Sequence, residues 1–392
     1  MPLSEIYHYG FAGEIGAHRL ERELPTANRP ESGGGVLTAP LADDEILEFG
    51  DSRTYTLKIE QGSTITNAAV QSNDQRPYVL VTNSGSGMEN DAANLVPEPP
   101  ASGETRTFRV EGVWMGSADD VDADPNTDEL YDFFIDRGSP PPSGFDWDEI
   151  VIKSSTFDPG GRRGDGTTIL PLRIRTLARI RRLVIDKSIV GPILIQQMAD
   201  CSESGFVDEL VIRDSIVDAG PFNELIGPAN AIDCVTGRVL LERSTVIGNV
   251  DVAVIEASDS IIMGTLTALD QHRSCLRFSA VSPGGVLPRL FEVFGPARPS
   301  ENIPPTPIVS TFFTSLRFGD PGYALLSVVA PIEISEGAEN GSEMGAFSSL
   351  LRPIRMKSII AKVDEFKPAG VIAQYILQGE NAPFPREDEE TP

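Results

Sequence analysis

Four segments of this chain nearly superpose, and any fold it adopts has to place them equivalently. They are Leu183-Val-Ile-Asp-Lys-Ser-Ile-Val-Gly191, Leu210-Val-Ile-Arg-Asp-Ser-Ile-Val-Asp218, Val239-Leu-Leu-Glu-Arg-Ser-Thr-Val-Ile247 and Ile255-Glu-Ala-Ser-Asp-Ser-Ile-Ile-Met263. A fifth, Ile150-Val-Ile-Lys-Ser-Ser-Thr-Phe-Asp158, fits the same frame. The shared pattern is two or three apolar residues, a polar pair, a serine, and two more residues of which at least one is β-branched. Its serines are Ser155, Ser188, Ser215, Ser244 and Ser260, at intervals of 33, 27, 29 and 16 residues. A propeller would demand more uniform blades. A constant motif at unequal intervals suits a solenoid, in which core-facing strands stay in register while outer loops vary in length. The expected fold is therefore all-β, a right-handed parallel β-helix.

In that frame each motif bends at its polar-serine position. The serine sits inside the wall and stacks on the serine of the next coil, hydroxyl to hydroxyl, as an internal ladder. A nucleophilic serine would need a base beside it. Only Lys187 is close, and its alternate position points it outward. Ser52–Ile59, Arg76–Val81 and Thr107–Trp114 alternate in the same way without the serine and read as earlier turns. The chain then divides into an N-terminal arm or cap (1–44), the β-helix (45–282), a Pro-rich linker (283–310), a small α+β capping or docking module (311–379) and an acidic tail (380–392). In the module Met356, Ile359, Val363 and Phe366 recur at helical spacing between Pro353 and Pro368. With Phe312, Phe313, Phe318 and Phe347 they supply more apolar surface than so short a segment buries alone, so the module is expected on the solenoid end or on another chain.

Charge narrows the partners. A net charge of −26 argues against nucleic acid, whose binding draws on clustered Lys and Arg. The one basic cluster, Arg173, Arg175, Arg179, Arg181 and Arg182, has the largely alternate spacing of the solvent side of strands. No run approaches the roughly 20 apolar residues of a spanning helix, and Met1–Gly10 shows no secretory signal, so a cytoplasmic or particle-associated location is expected. Cys201, Cys234 and Cys275 lie too far apart for a disulfide framework or a zinc site and read as reduced thiols.

Parallel β-helices can bind or cleave polysaccharide along a strand face, so carboxylates near the repeat need weighing. Asp186 stands two residues before its serine, whereas Asp214 and Asp259 stand one before theirs, so the three do not form one column. His272 is isolated in the repeat region, and His8 and His18 offer no ligand spacing. The sharpest local constellation is Asp120, Asp122, Asp124 and Asn126, with oxygen ligands at alternate positions as in a calcium loop. Pro125 stands where such a loop wants glycine and Tyr131 where it wants the closing glutamate, so weak calcium binding at most is expected there.

Tyr7-His-Tyr-Gly-Phe11, Asp51-Ser-Arg-Thr-Tyr55, Gln271-His-Arg-Ser-Cys-Leu-Arg-Phe-Ser279, Phe318-Gly-Asp-Pro-Gly-Tyr-Ala324 and Gly337-Ala-Glu-Asn-Gly-Ser-Glu-Met-Gly-Ala-Phe347 together resemble a little-characterised family of bacterial β-helix proteins associated with phage-tail-like contractile injection clusters. The resemblance runs over nearly the whole chain and carries no catalytic residues with it. It implies a structural, adaptor or surface-contacting component of a particle, whose partners are protein subunits or a cell-surface glycan, with a homo-oligomer among the open states. The competing expectation is a carbohydrate-active β-helix enzyme or glycan-binding protein, for which an aromatic-lined cleft with two facing carboxyls would speak.

Overall fold

In the computed structural model the repeats stack as successive coils of a right-handed parallel β-helix. The structure describes residues 144–162, 168–169, 171–195, 205–220, 229–318, 322–346 and 348, and, before residue 144, strands lying between Gly35 and Ile135. Each coil contributes to three faces. Face 1 is built from Trp147–Lys153, Arg179–Asp186, Phe206–Arg213, the later parts of Asn230–Glu242 and Asn249–Ser258, and the first residues of Cys275–Val281 and Arg289–Phe294. Face 2 follows the serine, with Thr156–Phe157, Ile189–Val190, Ile216–Asp218, Thr245–Ile247 and Ile261–Ile262. Face 3 closes the coil, with Leu172–Thr176, Ile193–Ile195, the first parts of Asn230–Glu242 and Asn249–Ser258, Leu266–Ala268 and Gly285–Val286. The pairing extends on both sides of the expected 45–282. Gly35–Leu37 pairs with Thr54–Ile59 before it, and Arg289–Phe294 adds a rung after it.

The interior is a set of apolar columns, because strand side chains alternate and parallel pairing puts like position on like. One column on face 1 runs Ile152, Ile185, Ile212, Leu241, Ala257, Leu276 and Leu290. On face 2 the inward column is Phe157, Val190, Val217, Val246, Ile262 and Val281, all fully buried. β-Branched residues dominate because their single preferred χ1 rotamer suits a pleated wall.

The bend between faces 1 and 2 repeats in detail. Ser154, Lys187, Asp214, Arg243, Asp259, Phe278 and Glu292 all lie in the left-handed region, with φ between 44° and 51°. None is glycine, and each conformation costs roughly 1–2 kcal/mol. The serine that follows holds the bend. Ser188 N–H donates to Ser215 Oγ (3.1 Å), Ser215 N–H to Ser244 Oγ (3.3 Å), Ser244 N–H to Ser260 Oγ (3.2 Å) and Ser260 N–H to Ser279 Oγ (3.2 Å). Each hydroxyl in turn donates to the carbonyl two residues earlier, as Ser244 does to Glu242 (2.8 Å) and Ser260 to Ser258 (2.8 Å). The expected serine ladder is present, with one correction. Each hydroxyl meets the neighbouring coil's backbone N–H rather than its hydroxyl, because the left-handed residue turns that N–H along the helix axis. The column ends at Val293, which carries no hydroxyl.

The segment after the last rung takes a route different from the expected one. Its described part, 308–348, lies along the outside of face 2 rather than over the solenoid end. There Ile189, Ile216, Ile261 and Ala280, with Ile247 and Met263, form a second apolar cluster with Ile308, Phe313, Phe318, Tyr323, Leu326, Ile334 and Met344. The physical reason is in the repeat. The residue directly after each serine points outward, and in most coils it is apolar, so face 2 needs a cover along its flank. The stripe Met356, Ile359, Val363 and Phe366, and Phe347, lie outside the described residues.

Candidate functional site

The repeat serines are occupied by the wall. Ser155, Ser188, Ser215, Ser244 and Ser260 are buried and hydrogen-bonded within the ladder, which leaves no hydroxyl presented to a substrate, and Lys187 is exposed. The three weighed aspartates are dispersed. Asp186 stands outward on face 1 between Lys153 and Arg213. Asp214 accepts a bidentate pair from Arg243, 3.0 Å from Nε and 3.1 Å from the terminal nitrogen, and the same contact raises the guanidinium's pKa. Asp259 is two coils from Asp214 in the same bend column, with Arg243 between them, and its Oδ1 accepts the Glu339 N–H at 2.7 Å. Burial pushes its carboxyl up. These groups staple bends and hold the flanking segment, and they do not face one another across a groove.

His272 is exposed in the turn before the 275–281 strand, where its carbonyl accepts from Arg289 at 3.3 Å. Cys234 is buried and Cys275 half-buried, both as free thiols, and burial pushes Cys234 up to about 11. Asp120, Asp122, Asp124 and Asn126 lie outside the described residues, as does Cys201. Among the described residues no group of three or more His, Cys, Asp or Glu is placed to hold a metal ion, and no helix is long and apolar enough to cross a membrane.

The outer side of face 1 carries charge in alternating columns. Glu149, Arg182, Glu209 and Arg238 follow one another rung by rung, and so do Lys153, Asp186, Arg213 and Glu242. Arg182 reaches Glu209 at 3.1 Å and Glu149 at 3.7 Å, and Arg213 reaches Glu242 at 3.0 Å. These pairs are about a third or more exposed, so each stabilises little by itself. Their alternation does fix the coil register, since a slip would put like charges side by side. Arg173 and Arg175 stand on the outer side of face 3 while Leu172, Ile174 and Thr176 point in, as the alternate spacing implied.

Two features were not read from the sequence. At the corner of face 3, Asp233 and Asp251 are direct neighbours in one outward column, in a cleft of about 670 Å³ lined also by Leu194, Val235, Thr267 and Leu269. Partial burial and then the charge of Asp251 raise the pKa of Asp233, and Asn230 donates to Asp251 at 3.1 Å. The two carboxylates lie side by side on one wall, and no aromatic residue lines the cleft among the described residues.

The other feature is the C-terminal end of the solenoid. Leu290 continues the interior column in which Leu276 is fully buried, yet it is 41 % exposed because no coil follows it among the described residues. Beside it Phe291 is 56 % and Val286 43 % exposed, and Phe291 stacks edge-on against Phe278 at 5.4 Å. Among the described residues no strand pairs with the outer edge of Arg289–Phe294. A core position that stays wet and a strand edge that stays unpaired are the marks of a surface made to be covered. No known family model, no curated protein and no solved structure matches this chain.

Proposed function

We infer that the chain is a non-catalytic structural or adaptor component of a larger assembly, docking through the open C-terminal end of its β-helix. The observation that carries this reading is Leu290, a core-column residue left 41 % exposed at the last rung. The repeat chemistry supports it, since the buried serines and Asp214 serve the wall itself. A particle of the contractile injection type is the assembly suggested by the resemblance in sequence, with a particle-associated location.

The test is the double variant Leu290→Asp/Phe291→Asp, which alters exposed positions only. Particles sedimented from cells producing the chain should carry the wild type and leave the variant in the supernatant, with both melting alike. Equal distribution of the two would refute the reading. A second reading, glycan binding, draws on the Asp233 and Asp251 cleft. It has less support, because sugar rings are usually held by aromatic faces and the described lining has none. Glycan-array binding lost in Asp251→Asn would turn the choice toward it.

A further inference from the structure

We propose that the open end receives an extended segment of a partner protein, laid along Arg289–Phe294 as the next rung, in which acidic and apolar residues alternate. The proposal rests on the docking role inferred above and specifies its occupant.

The wall's own register supplies the argument. On face 1 Arg182 has Glu209 and Arg213 has Glu242 in the adjoining rung, whereas the exposed Arg277 stands between Ser258 and Phe291. Arg289 is also outward, but Cys275 is its neighbour on one side, and on the other no strand pairs with it among the described residues. Its described hydrogen bond goes to the His272 carbonyl, and no ion pair of Arg289 is found among the described residues. A carboxylate in the next rung would give Arg289 the kind of partner that Arg182 and Arg213 have. The next position, above Leu290, continues the interior column and has to be apolar, since a polar group there would cover a hydrophobic side chain without a hydrogen-bond partner. Period-two alternation of side chains then gives the segment its pattern.

Charge selects against a second copy set end to end. Residues 270–298 hold Arg273, Arg277, Arg289 and Arg298 against Asp270, which pairs with Arg273 at 3.9 Å, and Glu292, in a chain of net charge −26. Two such ends face to face would oppose arginine with arginine, whereas an acidic strand meets complementary charge. The free backbone groups of the edge provide affinity, and the pocket above Leu290 and the Arg289 guanidinium provide selection.

The experiment uses fluorescently labelled ten-residue peptides alternating Glu and Val, or Lys and Val, titrated with the full chain by anisotropy. The Glu–Val peptide should bind saturably, weaken at high salt, and bind at least about tenfold more tightly than Lys–Val. Arg289→Glu should reverse that preference, and Leu290→Asp should abolish binding of both, with circular dichroism unchanged. Equal binding of the two peptides, an unaltered preference in Arg289→Glu, or no binding at millimolar peptide would overturn the proposal. Sedimentation showing wild-type self-association that Phe291→Asp abolishes would overturn it in favour of a second copy. If the peptides fail while Leu290→Asp/Phe291→Asp is still excluded from sedimented particles, the docking reading stands and only this occupant is wrong.

Discussion

Replacing Ser215 by alanine tests the serine ladder at its centre. Ser215 Oγ is fully buried, accepts the Ser188 N–H at 3.1 Å and donates to the Arg213 carbonyl at 2.5 Å. The carbonyl has a second donor, the Lys187 N–H at 3.0 Å, so its loss is small. The Ser188 N–H has no such reserve. Its burial without a partner costs roughly 1–3 kcal/mol, and the missing oxygen adds only a small void, so Ser215→Ala should destabilise the chain by about 2 kcal/mol. Denaturant unfolding reads the total. Amide exchange reads the cause, because the Ser188 amide should lose protection while the Ser215 amide, bonded to Ser244 Oγ at 3.3 Å, keeps it. Exposed Ser300→Ala is the control, expected within about 0.5 kcal/mol. A change below about 0.5 kcal/mol in Ser215→Ala, with Ser188 still protected, would refute the reasoning.

Three further outcomes are expected. The Asp218 carboxyl, which accepts the Tyr323 hydroxyl at 2.5 Å, is pushed by burial from 3.8 to about 7, against the lowering effect of that hydroxyl and of the Gly220 N–H. The native chain thus holds this proton more tightly than the unfolded one, and the associated stability is full below pH about 4 and lost as pH rises to about 7, on the order of 4 kcal/mol. Asp218→Asn should flatten that part of a stability-against-pH curve, and an unchanged slope between these limits would count against the buried pair. Gly237, at φ +60°, lies in the bulge between Cys234 and Arg238, where an added Cβ would come within 2.0 Å of the Val207 carbonyl oxygen. Gly237→Ala should therefore cost at least about 2 kcal/mol in urea unfolding, more than an ordinary surface change. Ending the chain at Ser310 should uncover Ile189, Ile216, Ile261 and Met263 on the flank of face 2, and a soluble, monomeric product that binds no hydrophobic dye would contradict the covering role of 311–348.

The repeat made the solenoid legible because parallel stacking imposes like residues at like positions, and that constraint is written directly in sequence. Unequal intervals did no harm to it, since loops leave the wall. The same logic placed the serines inside and kept Asp186 out of the bend column that holds Asp214 and Asp259. Boundaries were less legible. The rung at Arg289–Phe294 has Val293 at the serine position and Glu292 as its left-handed residue, so the motif fades one coil before the strands do.

What the sequence determined by itself is local and periodic: which residues point in and where each coil bends. The tertiary structure alone decided what meets across long separations. Tyr323 reaches Asp218 over 105 residues, and the Ala346 N–H reaches Thr245 Oγ1 over 101. Neither is encoded by spacing, because a covering segment can cross a regular wall at any coil. The same holds for the ends. Leu290 has the sequence character of every other core residue, and it is 41 % exposed because, among the described residues, no strand pairs beyond it.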